Sequence, residues 1–443
     1  MRKVLIANRG EIALRIIRAC KELNIKTILI YSEADKGSKL LSLADYSINV
    51  GPSLSTLSYL NKESILSACI LHNVDGVHPG YGFLSENYYF SKLCENLNIK
   101  FIGPNAEVIK LMGDKSSARN VAIKAGVPVI PGSSSTVINP YLGLEIAKRV
   151  GFPVIIKANG GGGGKGMRLV LSKKTFFKDF YSASNEAFKA FSDGRVYIEK
   201  YIKDPRHIEV QVIGDYKGNI VHLWERDCSV QRKYQKVIEE GPCFFINKKT
   251  RYRLTEAALA ISRECKYSNA GTVEFLVNEC GKFFFIEMNT RLQVEHGVTE
   301  LATGVDIVKE QIRVSCGNKL SVSQKNIKIL NHVIECRVNA EEPLNKFYPS
   351  PGSIKFYIPS GGPNIRVETH IYTGYKIPPY YDSMLMKVLA YSPTRYGCIR
   401  SLVRALSELK IGGVRTNINF CIKILKSNTF IFKGFTTNYI DSS

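Results

Sequence analysis

Residues 283–296 form the stretch that most restricts how this chain can fold. The segment starts as an apolar run, and its odd-numbered positions from 287 to 295 then carry Glu, Asn, Arg, Gln and Glu. Successive side chains of a strand point to opposite faces, so an extended run here would place all five polar groups on one face. Burying such a row is unfavourable unless a metal ion or a substrate neutralises it. A straight strand from 287 to 295 would span about 26 Å, which is too long for one reacting centre, so we expect the chain to curl after Asn289.

A hairpin formed by residues 272–276 and 282–287 predicts a metal site. If its turn is centred on Cys280 and Gly281, then Glu274 faces Glu287, with Cβ atoms about 5 Å apart. Mg²⁺ takes hard oxygen ligands and would remove the repulsion between the two carboxylates. Asn289 lies on the same face, which predicts Glu274, Glu287 and Asn289 as the ligand set. A protonated carboxyl pair or an exposed hairpin is the alternative, and a one-residue slip in register would favour it.

The chain as a whole predicts a mixed fold, α/β and α+β, with three domains. Strand, helix and strand patterns within residues 3–31 indicate a βαβ unit, and we expect a doubly wound parallel-sheet domain over 1–113. A second domain is expected over 114–329, with a mobile glycine-rich lid at about 130–203. Residues 330–443 are rich in strand and turn patterns and predict a β-rich third domain.

The glycine run at 160–166 is flanked by strands on both sides. A dinucleotide-binding loop would be followed by a helix, and a P-loop would carry Ser or Thr where Gly166 stands. The pattern instead predicts a hairpin flap whose backbone N–H groups close over phosphates. The dense polar run at 225–236 is interpreted by default as a solvated loop.

Composition limits the function classes. Lys and Arg number 61 against 39 Asp and Glu, for a net charge of +22, but they are spread along the chain, which favours a scattered basic surface over a nucleic-acid or membrane partner. The eleven cysteines form no CxxC pair and no zinc spacing, and a reducing compartment is expected. The apolar run at the N-terminus is too short for the apolar region of a signal peptide, and no transit peptide or membrane span is expected. The predicted location is the cytoplasm, or the stroma if the protein is organelle-encoded.

Nine strings, spread in order over essentially the whole chain, resemble the biotin carboxylases of the ATP-grasp superfamily. The most specific is EMNTRLQVEH at 287–296. The others include IANRGEIALRI (6–16), HPGYGFLSEN (78–87), MGDK (112–115), PVIIKA (153–158), PRHIEVQV (205–212), ERDCSVQRKYQK (225–236), PPYYDSM (378–384) and the glycine loop with its GM ending (160–167). The resemblance implies ATP-dependent carboxylation of biotin by bicarbonate through carboxyphosphate, as the first half-reaction of acetyl-CoA carboxylase.

The resemblance also implies residue roles. Residues that would bind the nucleotide or its phosphates are Lys115, Lys157, Gly163, Gly164, Glu199, Lys200, Tyr201, Ile202, His207 and Gln231. Glu274, Glu287 and Asn289 match magnesium or manganese ligands, for two ions. Arg291 with Lys236, Gln293 and Val294 resembles the bicarbonate site. Glu295 resembles the base that deprotonates bicarbonate, and Arg337 resembles the group that stabilises the biotin enolate.

The expected partners are a biotin carboxyl carrier protein and carboxyltransferase subunits, and a homodimer is expected. Because no carrier domain is seen in the sequence, a separate subunit of acetyl-CoA carboxylase is predicted, and a subunit of a split pyruvate or other acyl-CoA carboxylase is the alternative. Met386 and Lys387 resemble part of a biotin-accepting motif, but their context belongs to the carboxylase itself, so Lys387 is not predicted to be biotinylated.

Three positions depart from the family pattern: Tyr234 replaces a common His, Gly297 a common Pro, and Lys165 a common Arg. A different ATP-grasp ligase is disfavoured by Arg291, Glu295 and Arg337 together. A nucleic-acid-binding protein with an inactivated core is disfavoured by the intact metal and base residues.

Overall fold

The N-terminal region is a five-stranded parallel sheet with helices on both faces. A computed structural model of the chain describes residues 1–159, 167–191 and 193–440. The strand order is β3-β2-β1-β4-β5. The strands are β1 (Lys3–Ile6), β2 (Lys26–Tyr31), β3 (Tyr46–Asn49), β4 (Gly76–His78) and β5 (Lys100–Phe101), and the helices are α1 (Gly10–Glu22), α2 (Lys62–Leu71), α3 (Tyr88–Asn96) and α4 (Ala106–Gly113).

Alternate residues of β1 enter different cores. Val4 packs with apolar residues of α1, whereas Leu5 packs with residues of α2 and α3. A strand buried on both faces is apolar at each buried position, as β1 is from Val4 to Ile6. The predicted doubly wound arrangement is therefore confirmed.

The middle region follows with its own helices and strands. Its helices are α5 (Lys115–Lys124), α6 (Pro140–Val150), α7 (Phe176–Phe191), α8 (Lys248–Glu264), α9 (His296–Thr303) and α10 (Ile307–Ser315). Its strands are β6 (Val154–Ala158), β7 (Met167–Val170), β8 (Val196–Lys200), β9 (Arg206–Gly214), β10 (Ile220–Arg232), β11 (Gln235–Gly241), β12 (Asn269–Val277) and β13 (Phe283–Asn289).

The strands on either side of the glycine run pair as predicted. β6 and β7 are antiparallel, with Val154 opposite Val170 and Lys157 opposite Met167. With β8 they form a three-stranded sheet covered by apolar residues of α6 and α7. Gly163 and Gly164, predicted to contact phosphates, lie outside the described residues.

One eight-stranded sheet joins the middle region to the C-terminal region, in the order β13-β12-β9-β10-β11-β14-β21-β19. The C-terminal strands are β14 (His332–Asn339), β15 (Glu341–Glu342), β16 (Tyr348–Pro349), β17 (Gly352–Ser353), β18 (Phe356–Ile358), β19 (Ile365–Thr369), β20 (Lys376–Ile377), β21 (Met384–Ser392) and β22 (Lys410–Gly412), with helices α11 (Arg395–Glu408) and α12 (Ile418–Leu425). Because β11 pairs with β14, side chains from both regions meet on one sheet surface.

The default interpretation of residues 225–236 as a solvated loop is wrong. These residues belong mostly to β10 and the start of β11, and Arg226 and Asp227 are fully buried. Burial is tolerated because Arg226 Nε pairs with Glu209 Oε1 on the neighbouring β9, at 2.6 Å. Oppositely charged partners on adjacent strands offset the loss of hydration. Within the described part of the chain, none of the helices combines the length and apolarity needed to cross a membrane.

Candidate active site

A cavity of about 890 Å³ lies along the surface of the eight-stranded sheet, between the middle and C-terminal regions. All of the predicted site residues within the described part of the chain line it. They are Lys115, Lys157, Glu199, Lys200, Tyr201, Ile202, His207, Gln231, Lys236, Glu274, Glu287, Asn289, Arg291, Gln293, Val294, Glu295 and Arg337. Tyr234, the departure from the family's His, lines the same cavity.

The hairpin of β12 and β13 brings Glu274 opposite Glu287. The register predicted next to the turn is wrong by one residue, because Phe275 pairs with Phe285 and the turn is centred on Cys280. A β-bulge at Ile286 adds one residue to β13 and restores the predicted pairing for Glu274 and Glu287. Asn289 is also brought in, since its Nδ2 donates to Glu274 Oε1 at 2.8 Å.

The two facing carboxylates fit a divalent cation with oxygen ligands. Burial and the neighbouring Glu274 charge raise the pKa of Glu287. Among the described residues, the Glu287 carboxylate accepts no hydrogen bond, which leaves its oxygens open to the cavity. An acceptor pair of this kind, with the amide oxygen of Asn289 beside it, is the donor set that Mg²⁺ or Mn²⁺ takes.

Lys236 is the central cation of the site. Its Nζ lies 2.6 Å from Glu209 Oε2, 2.6 Å from Glu295 Oε1 and 3.1 Å from Glu274 Oε1. Burial disfavours the charged form, but these carboxylates outweigh it and hold the Lys236 pKa well above its usual range. His207, Glu209 and Glu274 lie close enough to share an ion. The Lys236 ammonium already contacts Glu209 and Glu274, so it balances their negative charge without a metal ion.

Glu295 lies between Lys236 and a second cation. Its Oε2 accepts from Arg337 Nη2 at 2.9 Å, and the Arg337 Nε donates to Glu239 Oε1 at 2.6 Å. Burial by itself would raise the Glu295 pKa, but Lys236 and Arg337 hold it well below its usual range. The carboxylate is therefore ionised at neutral pH and is a hydrogen-bond acceptor directed into the cavity.

The chain leaves the strand after Asn289, as predicted. β13 ends there, residues 290–295 follow without regular structure, and α9 begins at His296. Leu292 turns into the core and is fully buried, while Arg291 folds back so that its Nη2 donates to Asn289 Oδ1 at 3.0 Å. This curl places Glu295 near Lys236 instead of at the far end of a straight strand.

Two lysines mark the opposite end of the cavity. Lys157 Nζ donates to Glu199 Oε2 at 2.6 Å, and burial lowers the pKa of Lys115, which begins α5. The backbone N–H groups of Lys200 and Tyr201 donate to the carbonyls of Pro131 and Pro153. Among the described residues the Ile202 amide has no such acceptor, so the segment that follows β8 leaves one backbone donor for a ligand.

Several residues at the site were not found from the sequence. Glu86 Oε2 accepts from Arg291 Nε at 2.8 Å, and the buried Glu209 and Glu239 hold Lys236 and Arg337. Glu86 lies within the string HPGYGFLSEN, and Glu209 within PRHIEVQV. The strings marked these two segments, but only the tertiary fold brings Glu86 and Glu209 into contact with Arg291 and Lys236, which line the cavity.

Comparisons with known proteins agree with this geometry over the whole chain. Three family models match in sequence order: the biotin carboxylase N-terminal domain over residues 1–109, the carbamoyl-phosphate synthase L chain ATP-binding domain over 114–323, and the biotin carboxylase C-terminal domain over 335–442.

Curated relatives and solved structures give the same result. The biotin carboxylase of Haemophilus influenzae is 49% identical over 442 residues, covering 100% of this chain and 98% of that protein. The biotin carboxylase of a Nostoc species is 48% identical, covering 99% and 98%. The crystal structure of a biotin carboxylase complex with β,γ-ATP from Campylobacter jejuni superposes with a TM-score of 0.97 at 49% identity, covering 100% of this chain and 99% of that one. The chain belongs to the biotin carboxylase family.

Proposed function

We propose that this chain carboxylates biotin, held on a carrier protein, with bicarbonate and ATP, and that it supplies the first half-reaction of an acetyl-CoA carboxylase. The observation that carries the proposal is the position of Glu295, an ionised carboxylate between Lys236 and Arg337. The same cavity holds the facing carboxylates Glu274 and Glu287, of which Glu274 also contacts Lys236. Lys115 and Lys157 line it as well. One cavity thus offers separate groups for phosphoryl transfer and for carboxylation.

Phosphoryl transfer depends mainly on positioning and on neutralising charge. Lys115 and Lys157 would contact phosphate oxygens, and the segment Glu199 to Ile202 would hold the adenine, with the Ile202 amide as a donor. His207 and Gln231 complete the wall on this side. Glu274, Glu287 and Asn289 would hold magnesium or manganese ions, which neutralise the phosphate charge when bound. The roles of Gly163 and Gly164 in covering the phosphates are part of the proposal.

Bicarbonate would lie beside Arg291, whose planar guanidinium matches a planar anion with paired hydrogen bonds. Lys236, Gln293 and Val294 would form the rest of its site. Glu295, kept ionised by its two cations, takes the bicarbonate proton. The bicarbonate oxygen then attacks the γ-phosphorus, and ADP leaves with formation of carboxyphosphate. Exclusion of water protects this labile mixed anhydride.

Carboxyphosphate breaks into carbon dioxide and phosphate. The released phosphate takes the N–H proton of the biotin ureido group, and the deprotonated nitrogen attacks the carbon dioxide. The negative charge that develops on the ureido oxygen needs a fixed cation, which Arg337 supplies. Arg337 is suited to this role because Glu239 and Glu295 hold its guanidinium at the wall of the cavity. A related solved structure supports the choice of ligands in this scheme. It is a 2-oxoglutarate carboxylase domain, 45% identical to this chain, in complex with MgADP and bicarbonate.

We also propose the domain boundaries 1–113, 114–329 and 330–443, with the lid at about 130–203. The matched segments 1–109, 114–323 and 335–442 support them. The proposed partners are a biotin carboxyl carrier protein and carboxyltransferase subunits, with a homodimer as the assembly. The related 2-oxoglutarate carboxylase domain is described as a dimer. The eleven free cysteines support a reducing compartment, the cytoplasm or an organelle stroma.

A split pyruvate carboxylase is the second candidate. One of the pyruvate carboxylase subunits of Methanothermobacter thermautotrophicus is 47% identical, covering 99% of this chain and 89% of that protein. Co-purification separates the two candidates, because the first requires an associated carboxyltransferase that forms malonyl-CoA and the second requires one that forms oxaloacetate.

The direct test is ADP release in the presence of bicarbonate, with and without free biotin. We expect turnover that requires both. Biotin-independent turnover, or none from folded protein, would contradict the proposal. The variant Glu295→Gln should bind ATP normally but form no carboxybiotin, and Glu264→Gln, an isosteric change at an exposed position, is its control. Loss of ATP affinity in Glu295→Gln would count against the role of the base.

A further inference from the structure

Lys387 is a completely buried lysine in β21, and the carboxylation chemistry above makes no use of it. It belongs to the dipeptide that resembles a biotin-accepting motif. Its side chain is 0% exposed, so an enzyme that biotinylates lysines could not reach it in the folded protein. Burying an ammonium is costly unless it is paired and hydrogen-bonded, so its partners must account for its presence.

Those partners come from three separate parts of the chain. Lys387 Nζ lies 2.6 Å from Glu368 Oε2 on the adjacent β19 and 3.4 Å from Glu11 Oε1 on α1. It also donates to the backbone carbonyl oxygen of Val294 at 2.7 Å. Val294 directly precedes Glu295, so the ammonium is attached to the turn that carries the proposed base.

The contact with Val294 is the one that matters for chemistry. Residues 290–295 belong to no helix or strand. The carbonyls on either side of Val294 accept from the start of α9, Glu295 O from the Val298 N–H at 3.1 Å and Gln293 O from the His296 N–H at 3.3 Å. The Val294 carbonyl is instead fixed by a cation, and that cation is itself fixed by Glu368 and Glu11. Charge-assisted hydrogen bonds of this kind are about twice as strong as neutral ones. An oxygen held this way restricts the peptide unit that leads into Glu295.

We propose that Lys387 is a positioning residue that holds the Val294–Glu295 turn in place for the reaction with bicarbonate. The inference rests on the proposed function. Lys387 does not line the cavity, and it acts through the backbone of Val294. Its loss should misplace Glu295 and Gln293 relative to bicarbonate while leaving the nucleotide end of the cavity unchanged. Misplacement by about 1 Å is enough to lower a rate by about 100-fold.

The experiment compares three proteins with the wild type. Lys387→Met removes the donor but leaves Glu368 and Glu11 with unbalanced charge, so it is expected to be less stable. The double variant Lys387→Met/Glu368→Gln removes one positive and one negative charge together and should recover most of the thermal stability. A matched control, Arg395→Met/Glu240→Gln, removes another buried pair, 2.9 Å apart, that does not touch the turn.

The measurements are the melting temperature and the kcat and KM for bicarbonate and for ATP. We expect the double variant at Lys387 to show about tenfold or greater loss of kcat/KM for bicarbonate, with a raised KM for bicarbonate and an unchanged KM for ATP. A purely structural role would reduce the amount of active enzyme and leave both KM values unchanged. The control should keep the KM for bicarbonate of the wild type.

Each outcome decides a different point. A wild-type protein without biotin-dependent ADP release would overturn the proposed function itself. An active wild type together with an unaltered KM for bicarbonate in both Lys387 variants would overturn the positioning role. A raised KM for bicarbonate in the control as well would also overturn it, since any lost buried pair would then have the same effect.

Discussion

Glu274 and Glu287 lie directly opposite each other on β12 and β13, although the strands leave their turn one residue out of that register. The extra residue, Ile286, forms a bulge that brings the two carboxylates together. Bulges are features that redirect side chains next to functional sites. Without it, Glu274 would face an apolar side chain, and the oxygen ligands for a cation would not meet.

Replacing Glu287 with Gln should stabilise the protein without metal and impair turnover. The change removes a like charge opposite Glu274, which is worth about 0.5–1 kcal/mol in the free energy of unfolding. Magnesium-dependent ATP turnover should fall by about 100-fold or more, because the charge stabilisation that a cation provides is worth several kcal/mol. Chemical denaturation in the presence of a chelator and steady-state kinetics measure the two effects.

The control for this change is Glu279→Gln in the exposed turn of the same hairpin. It should change neither the free energy of unfolding without metal nor the magnesium-dependent ATP turnover. A Glu287→Gln protein that is less stable without metal would show that the two carboxylates do not repel each other.

Replacing Arg337 with Met should lower kcat for biotin carboxylation by about 100-fold or more, because a fixed cation at the developing oxyanion is lost. ATP affinity should stay unchanged. Burial raises the pKa of Glu239 to about 7, and removal of its Arg337 partner leaves that carboxyl unpaired. The variant Arg337→Met/Glu239→Gln should therefore recover stability but not turnover, as measured by thermal unfolding and carboxybiotin formation.

The control is Arg232→Met, which removes a partly exposed guanidinium on β10 that lies 4.0 Å from the centre of the Phe347 ring. Recovery of turnover in the Arg337 double variant would mean that the arginine serves only to balance Glu239.

Protein stability should fall as the pH is lowered from about 6.5 towards 5. Burial lowers the pKa of His78 and His370 to about 3 and that of His222 and His296 to about 4. In the unfolded chain histidine has a pKa of about 6.5, so below that value the unfolded state binds protons that the folded state does not. Each such histidine therefore lowers the free energy of unfolding by about 1.4 kcal/mol for each pH unit below about 6.5.

The measurement is urea unfolding between about pH 7 and about pH 5. The variant His370→Gln should reduce the slope of unfolding free energy against pH by the equivalent of about one proton. The variant His72→Gln, at a partly exposed position, is the comparison. A His370→Gln protein with the slope of the wild type would contradict the assignment of buried neutral histidine there.

Gly297 and Leu389 should be energetically coupled. A Cβ at position 297 would lie 2.9 Å from Leu389 Cδ2, so the buried leucine would have to move. Overpacking of this kind costs about 1–3 kcal/mol. Leu389→Val makes room, and a double-mutant cycle with Gly297→Ala should give a coupling energy of about 1 kcal/mol. Additive changes in unfolding free energy would show that the leucine does not restrict this position.

The sequence by itself determined the groups that perform the chemistry. Period-two alternation placed Glu287 and Asn289 on one face of a strand, and the spacing of the hairpin indicated Glu274 as their partner. The parallel sheet and the hairpin around the glycine run could also be predicted, because local strand and helix patterns depend on neighbouring residues. The length of a straight strand was enough to predict the curl after Asn289.

Only the tertiary structure decided how those groups are held. The bulge at Ile286 is a property of strand pairing, and the burial of Arg226 depends on Glu209 in the next strand. Glu86 reaches Arg291 from the first domain, and Lys387 reaches Val294 from the last. Such contacts join residues up to about two hundred positions apart, so they follow from the order in which strands, loops and domains are brought together in the folded chain. A buried charge is stable only where that order brings its partner within hydrogen-bond distance.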